Sequence, residues 1–205
     1  MKKLLIVLVI LIGLGVVVAL AATGAYNGLV TKQQAVDAQW AQVQNVYQRR
    51  ADLIPNLVNT VSGAANFEKS TLTEVTNARA SVGRVNINAN EAPESAEQLA
   101  EFDRAQGQLS SAISRLLVVS ERYPELRATA NFQSLQAQLE GSENRISVER
   151  GRFNEVVQTY NTAIKRVPGV FFAGIFGFKE RAYFAATPTA QTPPEVNFDF
   201  GGKTK

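Results

Sequence analysis

No cysteine and no histidine occur among the 205 residues, and tryptophan and methionine occur once each. Without thiols there is no disulfide framework, no cysteine-ligated metal site and no cysteine nucleophile. Without imidazole there is no serine–histidine–aspartate triad, no histidine metal ligand and no side chain that titrates unperturbed near neutrality. Excess charge is scarce too: 21 Lys and Arg stand against 18 Asp and Glu, a formal net charge of +3. Despite a pI near 9.3, that balance is too weak to imply a nucleic-acid partner, and none is expected. Two of the bases are Lys2 and Lys3; setting them aside leaves 19 bases against 18 acids. Walker-type and dinucleotide-binding glycine motifs are also missing.

What is present begins with an apolar run from Leu4 to Ala22 (LLIVLVILIGLGVVVALAA). Nineteen helical residues rise roughly 28 Å, close to the hydrocarbon thickness of a bilayer. A cleaved signal peptide is the rival reading, supported by Lys2, Lys3 and the Ala19-Leu20-Ala21 tripeptide. The run is longer than the roughly 7–15 residues of a signal h-region, which favours a retained anchor. A buried core helix is the third reading. Lys2 and Lys3 precede the span, whereas Lys32 is the only base in the fifteen residues after it. The positive-inside rule then puts the N-terminus in the cytoplasm and the residues beyond 25 on the outer side of the membrane. Gly13 and Gly15 do not form a GxxxG pair.

Beyond the anchor, apolar residues recur at helical spacing. Positions 29, 33, 36, 40, 43, 47, 50, 54, 57 and 61 form a heptad stripe interrupted by Gln33 and Arg50. Pro55 lies inside it and predicts a kink or short break near Ala51 to Pro55. A second helix is expected from Phe67 or Glu68, carrying Leu72, Val75 and Val82. Asn86 to Ser95 reads as a loop, and Pro93 suits the first turn of a third helix carrying Leu99, Phe102, Leu109, Ile113 and Leu116. Tyr123-Pro124 ends that helix. A fourth, about forty residues and roughly 60 Å long, carries a coiled-coil-like seam at 132, 135, 139, 142, 146, 149, 153, 156, 160, 163 and 167. No strand-like alternation of useful length is present. The expected fold is all-α, an antiparallel up-and-down four-helix bundle with an N-terminal transmembrane helix. Its parts are an anchor (1–25), a bundle (26–167), a Phe-rich segment at the bundle end (168–186) and a flexible tail (187–205).

Arg50 on the first seam and Glu149 on the fourth are charges where a bundle wants aliphatic residues, and a buried charge is costly unless paired. The expected solution is a buried polar layer in which Arg49 or Arg50 meets Glu143 or Glu149, with Asp52 and Arg145 nearby. Snorkelling of these side chains into water is the alternative. Seven of the eleven phenylalanines fall in the last 38 residues, and Gly169 to Phe178 (GVFFAGIFGF) is ten residues without a charge. Phe171, Phe172, Ile175, Phe176 and Phe178 either cap the bundle or dip into the membrane interface, the cap being the commoner use of such residues. With four helices this segment returns to the membrane end of the bundle; with three it lies at the far end.

Several segments resemble motifs of the LemA family: Tyr26-Asn27-Gly28-Leu29-Val30, Arg49-Arg50-Ala51-Asp52-Leu53-Ile54-Pro55-Asn56-Leu57-Val58 and Tyr123-Pro124-Glu125-Leu126-Arg127. So do Leu135-Gln136, Glu143-Asn144-Arg145-Ile146, Tyr160-Asn161, Phe178 and Tyr183-Phe184. Where that pattern would place His-Glu, this chain has Phe67-Glu68 after Asn66, so no role resting on that histidine carries over. The resemblance implies a bacterial membrane protein with one N-terminal anchor and an antiparallel four-helix bundle. It also implies a short N-terminus outside the cell, opposite to the orientation that Lys2 and Lys3 favour. It implies no catalytic set. The expected function is a non-enzymatic scaffold or interaction module with lipid, an unidentified protein and a second copy as partners, and with no cofactor or metal. Ferritin-like metal sites need the Glu-x-x-His that this chain cannot supply. The competing class is a membrane-bound enzyme pairing Asp52 with Glu143 or Glu149.

Overall fold

A computed structural model describes residues 2–64, 67–85 and 91–185. Six helices follow in order: α1 (Lys2–Ser62), α2 (Lys69–Val82), α3 (Ala96–Ser120), α4 (Pro124–Arg127), α5 (Ala130–Lys165) and α6 (Gly169–Phe176). No strand occurs among the described residues.

The apolar run and the first seam are one helix. α1 continues for 61 residues, roughly 92 Å. Its N-terminal third is long and apolar enough to cross a membrane, and none of it is buried against the protein. Burial starts at Leu29 and then follows the heptad stripe to Val61, with Asp37 added and Gln33 only half-buried. The break expected at Pro55 is absent: α1 is helical through it. A proline nitrogen cannot donate to the carbonyl one turn back, here Ala51. That carbonyl instead accepts a hydrogen bond from Arg79 Nε of α2 at 3.3 Å. A neighbouring helix thus supplies the donor that proline withholds.

α1 packs mainly on α5, and α2 on α3. Directions follow from side-chain pairs. Gln39 bonds Glu149 and Arg50 bonds Glu143, so α5 runs antiparallel to α1. Trp40 meets Phe102 and Arg50 meets Ser110, so α3 runs parallel to α1. Glu68 pairs with Arg122 and Glu74 with Arg115, so α2 runs antiparallel to α3. Two apolar clusters result. One centres on Trp40, Tyr47, Phe102, Phe153 and Phe184, the other on Ile54, Leu57, Leu109, Leu116 and Phe132. The charged layer at Arg50 separates them along α1.

Two helix readings need correction. The seam of α5 leaves the heptad frame after Phe153: Val157, Tyr160, Asn161 and Ile164 are buried, whereas the expected frame runs 156, 160, 163 and 167. A straight helix turns every 3.6 residues, so a 3.5-residue frame drifts off its buried face over several turns. α3 starts at Ala96, not at Pro93, because Ser95 is its N-cap in a reciprocal capping box with Gln98. The short α4, with Pro124 in its first turn, was not anticipated. The tail assigned to 187–205 lies outside the described residues.

Candidate functional site

The charged layer is built around Arg50, which is 1% exposed. Its Nη1 donates to Ser110 Oγ at 2.6 Å and to Glu143 Oε1, and its Nη2 donates to Gln106 Oε1. The guanidinium also sits 5.2 Å from the Tyr47 ring centre. Its charge is therefore met by a carboxylate on α5 and by two neutral acceptors on α3. Of the other residues expected here, Glu149 does not reach either arginine. It accepts from Gln39 at 2.7 Å and Arg152 at 2.8 Å. Arg49, Asp52 and Arg145 are exposed, with Asp52 accepting from Gln48 on its own helix at 2.7 Å. Arg49 and Asp52 point about 100° and 200° away from Arg50 around α1, and Arg145 about 100° away from the buried Ile146 on α5.

Sequence reasoning missed a second set of polar residues, which straps residues 178–185 onto the helices. Asn161 donates to the Arg181 carbonyl at 2.8 Å and accepts from its N–H at 2.9 Å. Asn154 makes the same paired contact with Phe184, at 3.0 and 2.9 Å. Seven helical residues rise about 10.5 Å and three extended residues about 10 Å, so the two spacings match. The signal was present as an aromatic–Asn dipeptide repeated a heptad apart, Phe153-Asn154 and Tyr160-Asn161. Tyr160 donates its hydroxyl to the Lys179 carbonyl at 2.9 Å. Arg150 forks onto Asp103 at 2.7 and 3.3 Å and covers the Phe184 ring at 4.4 Å. Asp37 and Arg181 hold the backbone of Ala92 from two sides, each at 3.0 Å. Asn161→Ala is expected to release the strap locally, at a cost of about 2 kcal/mol for two part-buried hydrogen bonds. Hydrogen exchange at Arg181 should then accelerate while α3 amides keep their protection. Unchanged exchange at Arg181 would show that the clamp is not what orders the strap.

Ionisation follows from this packing. Burial raises the Tyr47 hydroxyl above its ordinary 10.0, with Arg150 and Arg50 pulling the other way. Burial likewise raises Tyr160, opposed by Arg181. A raised folded pKa means that the unfolded chain loses its proton first, so stability is full below pH 10 and falls as pH rises beyond it. With no histidine to titrate, stability should be nearly flat between about pH 6 and 9. Denaturation midpoints measured across pH would check both limbs.

The Phe-rich segment is partly packed on the helices and partly exposed. Gly169 and Ala173 of α6 are buried, and Phe184 enters the aromatic core. Phe171, Ile175 and Phe176 are exposed, whereas Phe172 and Phe178 are half-buried. α6 sits beside the start of the helical body, where Tyr26 meets Phe176 and Phe178 at ring separations of 5.0 and 5.9 Å. Gly169 is required at the corner: a Cβ there would lie 2.1 Å from the Ala163 carbonyl oxygen. Among the described residues no group of three acidic side chains is placed to hold a metal ion.

The sequence profile of the LemA family matches residues 39–198. The chain belongs to the LemA family. Its similarity extends to magnetosome protein MamQ of Magnetospirillum gryphiswaldense, 26% identical over 187 residues, covering 82% of this chain and 67% of that protein. Magnetosome protein MamQ 2 of Paramagnetospirillum magneticum is similar to the same extent. Protein LemA of Metamycoplasma hominis is 21% identical over 141 residues, covering 69% of this chain and 60% of that protein. The matched span of the LemA profile takes in the Arg50 layer, the asparagine clamp and α6.

Proposed function

We propose that this LemA-family chain is a single-pass protein of the bacterial inner membrane whose antiparallel four-helix bundle, α1, α2, α3 and α5, acts as a non-enzymatic scaffold for protein partners. The observation that carries this reading is the continuity of α1. The apolar span passes without a break into the helix that carries Trp40 and Arg50, so the bundle is held on a stiff extension of its anchor. A rigid body displayed at a membrane suits presentation of surfaces more than turnover of a substrate. The carboxylates that the enzyme reading would use are engaged in structure: Glu143 with Arg50, Glu149 with Gln39 and Arg152, Asp52 with Gln48. The bundle lies on the outer side of the membrane in this reading, because Lys2 and Lys3 flank the span on the other side.

A phosphatase fused after Lys205 should be active only with the bundle outside; an inactive fusion with an active cytoplasmic reporter reverses the orientation. Val118 on α3 and Val148 on α5 are large apolar side chains exposed on the bundle surface. Photocrosslinkers placed there in cells are expected to give discrete protein adducts, a second copy of this chain among them. The scaffold reading fails if both positions give none while the protein remains in the membrane. Size measurement of the detergent-extracted chain tests self-association separately, and a monomer there removes the second copy as a partner.

A further inference from the structure

We infer that α6 and the Val167 corner before it form a second membrane contact, a foot resting in the headgroup–acyl boundary beside the emerging α1. The inference rests on the proposed anchoring of α1 and adds a contact which that anchoring does not require. Val167, Phe171 and Ile175 are spaced four residues apart and are 74, 66 and 75% exposed. Gly169 and Ala173, also four apart, lie on the opposite face and are buried. The short helix is thus amphipathic in an unusual sense: one apolar face packs on the protein, and the other is left open. Contiguous large apolar side chains on a surface mark a contact with something other than water.

Position identifies the occupant as lipid. Tyr26, which α6 touches through Phe176, comes four residues after the apolar run ends at Ala22. That is about 6 Å of helical rise, which places α6 at the depth where aromatic side chains and interfacial helices reside. Charge agrees. Residues 4–36 contain no acid. Lys32 and Arg166 line one shallow cleft with Gly24, Gly28, Val167 and Gly169, a few residues beyond the end of the apolar run. Lys179 is exposed next to Phe178, and the neighbouring Glu180 is tied to Lys165 at 2.7 Å. An apolar face rimmed by bases fits a surface carrying anionic lipid headgroups. A second copy fits less well, because one face of an eight-residue helix is far smaller than the roughly 800 Å² per partner of a stable interface. The consequence is orientation: a lone helix lets the body rotate and tilt, whereas a helix and a foot fix both.

The absence of native cysteine makes the test clean. Full-length protein carrying one of Leu11→Cys, Ile175→Cys or Ala128→Cys is labelled with an environment-sensitive fluorophore and reconstituted in phosphatidylcholine–phosphatidylglycerol vesicles. Trp40 emission serves as the check that each variant is folded. The Ile175 label should be quenched at least about threefold more by headgroup-level spin-labelled lipid than the Ala128 label on the far end, and Leu11 most strongly by acyl-chain spin labels. An Ile175 label that behaves like Ala128 while Leu11 is in lipid overturns the foot and leaves the anchor standing. An Ile175 label shielded from aqueous iodide yet untouched by lipid quenchers shows protein on this face and also overturns it. A Leu11 label in water overturns the anchoring reading and, with it, the foot that rests on it.

Discussion

Trp40→Ala is expected to destabilise the protein by about 4 kcal/mol, the range for truncating a large buried aromatic whose cavity cannot collapse. Trp40 is fully buried and contacts rings from three separate elements: Phe102 of α3 at 5.3 Å, Phe153 of α5 at 5.6 Å and Phe184 of the strap at 6.2 Å. Each neighbour is held by its own helix or by the Asn154 clamp, so none can move in to fill the space. Chemical denaturation in detergent, followed by far-ultraviolet circular dichroism, measures the loss without needing tryptophan emission. Part of the helical signal should survive, because the apolar N-terminal third of α1 is not buried against this core. A loss below about 1 kcal/mol would mean that the aromatic cluster is not the keystone its geometry makes it.

Second in size is an asymmetry between the two ends of the Arg50–Glu143 pair. Glu143 is 46% exposed, so water can solvate it when its partner is gone, whereas Arg50 is sealed inside. Glu143→Ala leaves a buried guanidinium with only Gln106 and Ser110, at a cost of about 3 kcal/mol. Arg50→Met fills a similar volume, leaves the carboxylate hydrated and should cost about 1 kcal/mol. The double variant is expected to be close to Arg50→Met alone, since the damage from losing Glu143 exists only while the buried charge remains. Equal and additive single costs in such a cycle would show that the two groups are not coupled. The layer's contribution would then be specificity of register between α1, α3 and α5, because a charge sealed at one level of the seam penalises every slipped alternative.

How far the sequence could be read depended on whether a feature was periodic or pairwise. The stripe from Leu29 to Val61 was legible because burial on one side of a helix imposes a repeat on residue choice, and nine of its ten positions are buried. The third helix was legible for the same reason, with Leu99, Phe102, Leu109, Ile113 and Leu116 all inside. That a carboxylate would lie opposite a seam arginine followed from the cost of burying charge. Which carboxylate did not: Glu143 and Glu149 differ by six residues, and the choice depends on the axial offset between α1 and α5. The helix continues through Pro55 where a break was one expectation: the local effect is a lost hydrogen bond, and the compensating donor, Arg79, comes from a different helix. The asparagine clamp joins a helix to an extended segment about twenty to thirty residues away, where no single periodicity covers both.

Composition and one-dimensional pattern were sufficient for an all-helical chain with a membrane-length apolar start, for the inward face of its first and third helices, and for the exclusion of thiol and imidazole chemistry. These are properties of each segment taken alone, set by hydrophobic spacing and by residue type. Whether Pro55 breaks α1, which acid answers Arg50, where the buried face of α5 drifts, and which half of the Phe-rich segment is left open all required the folded chain. Each depends on the relative placement of two elements, and that placement minimises the energy of the whole core without leaving its mark on either segment separately.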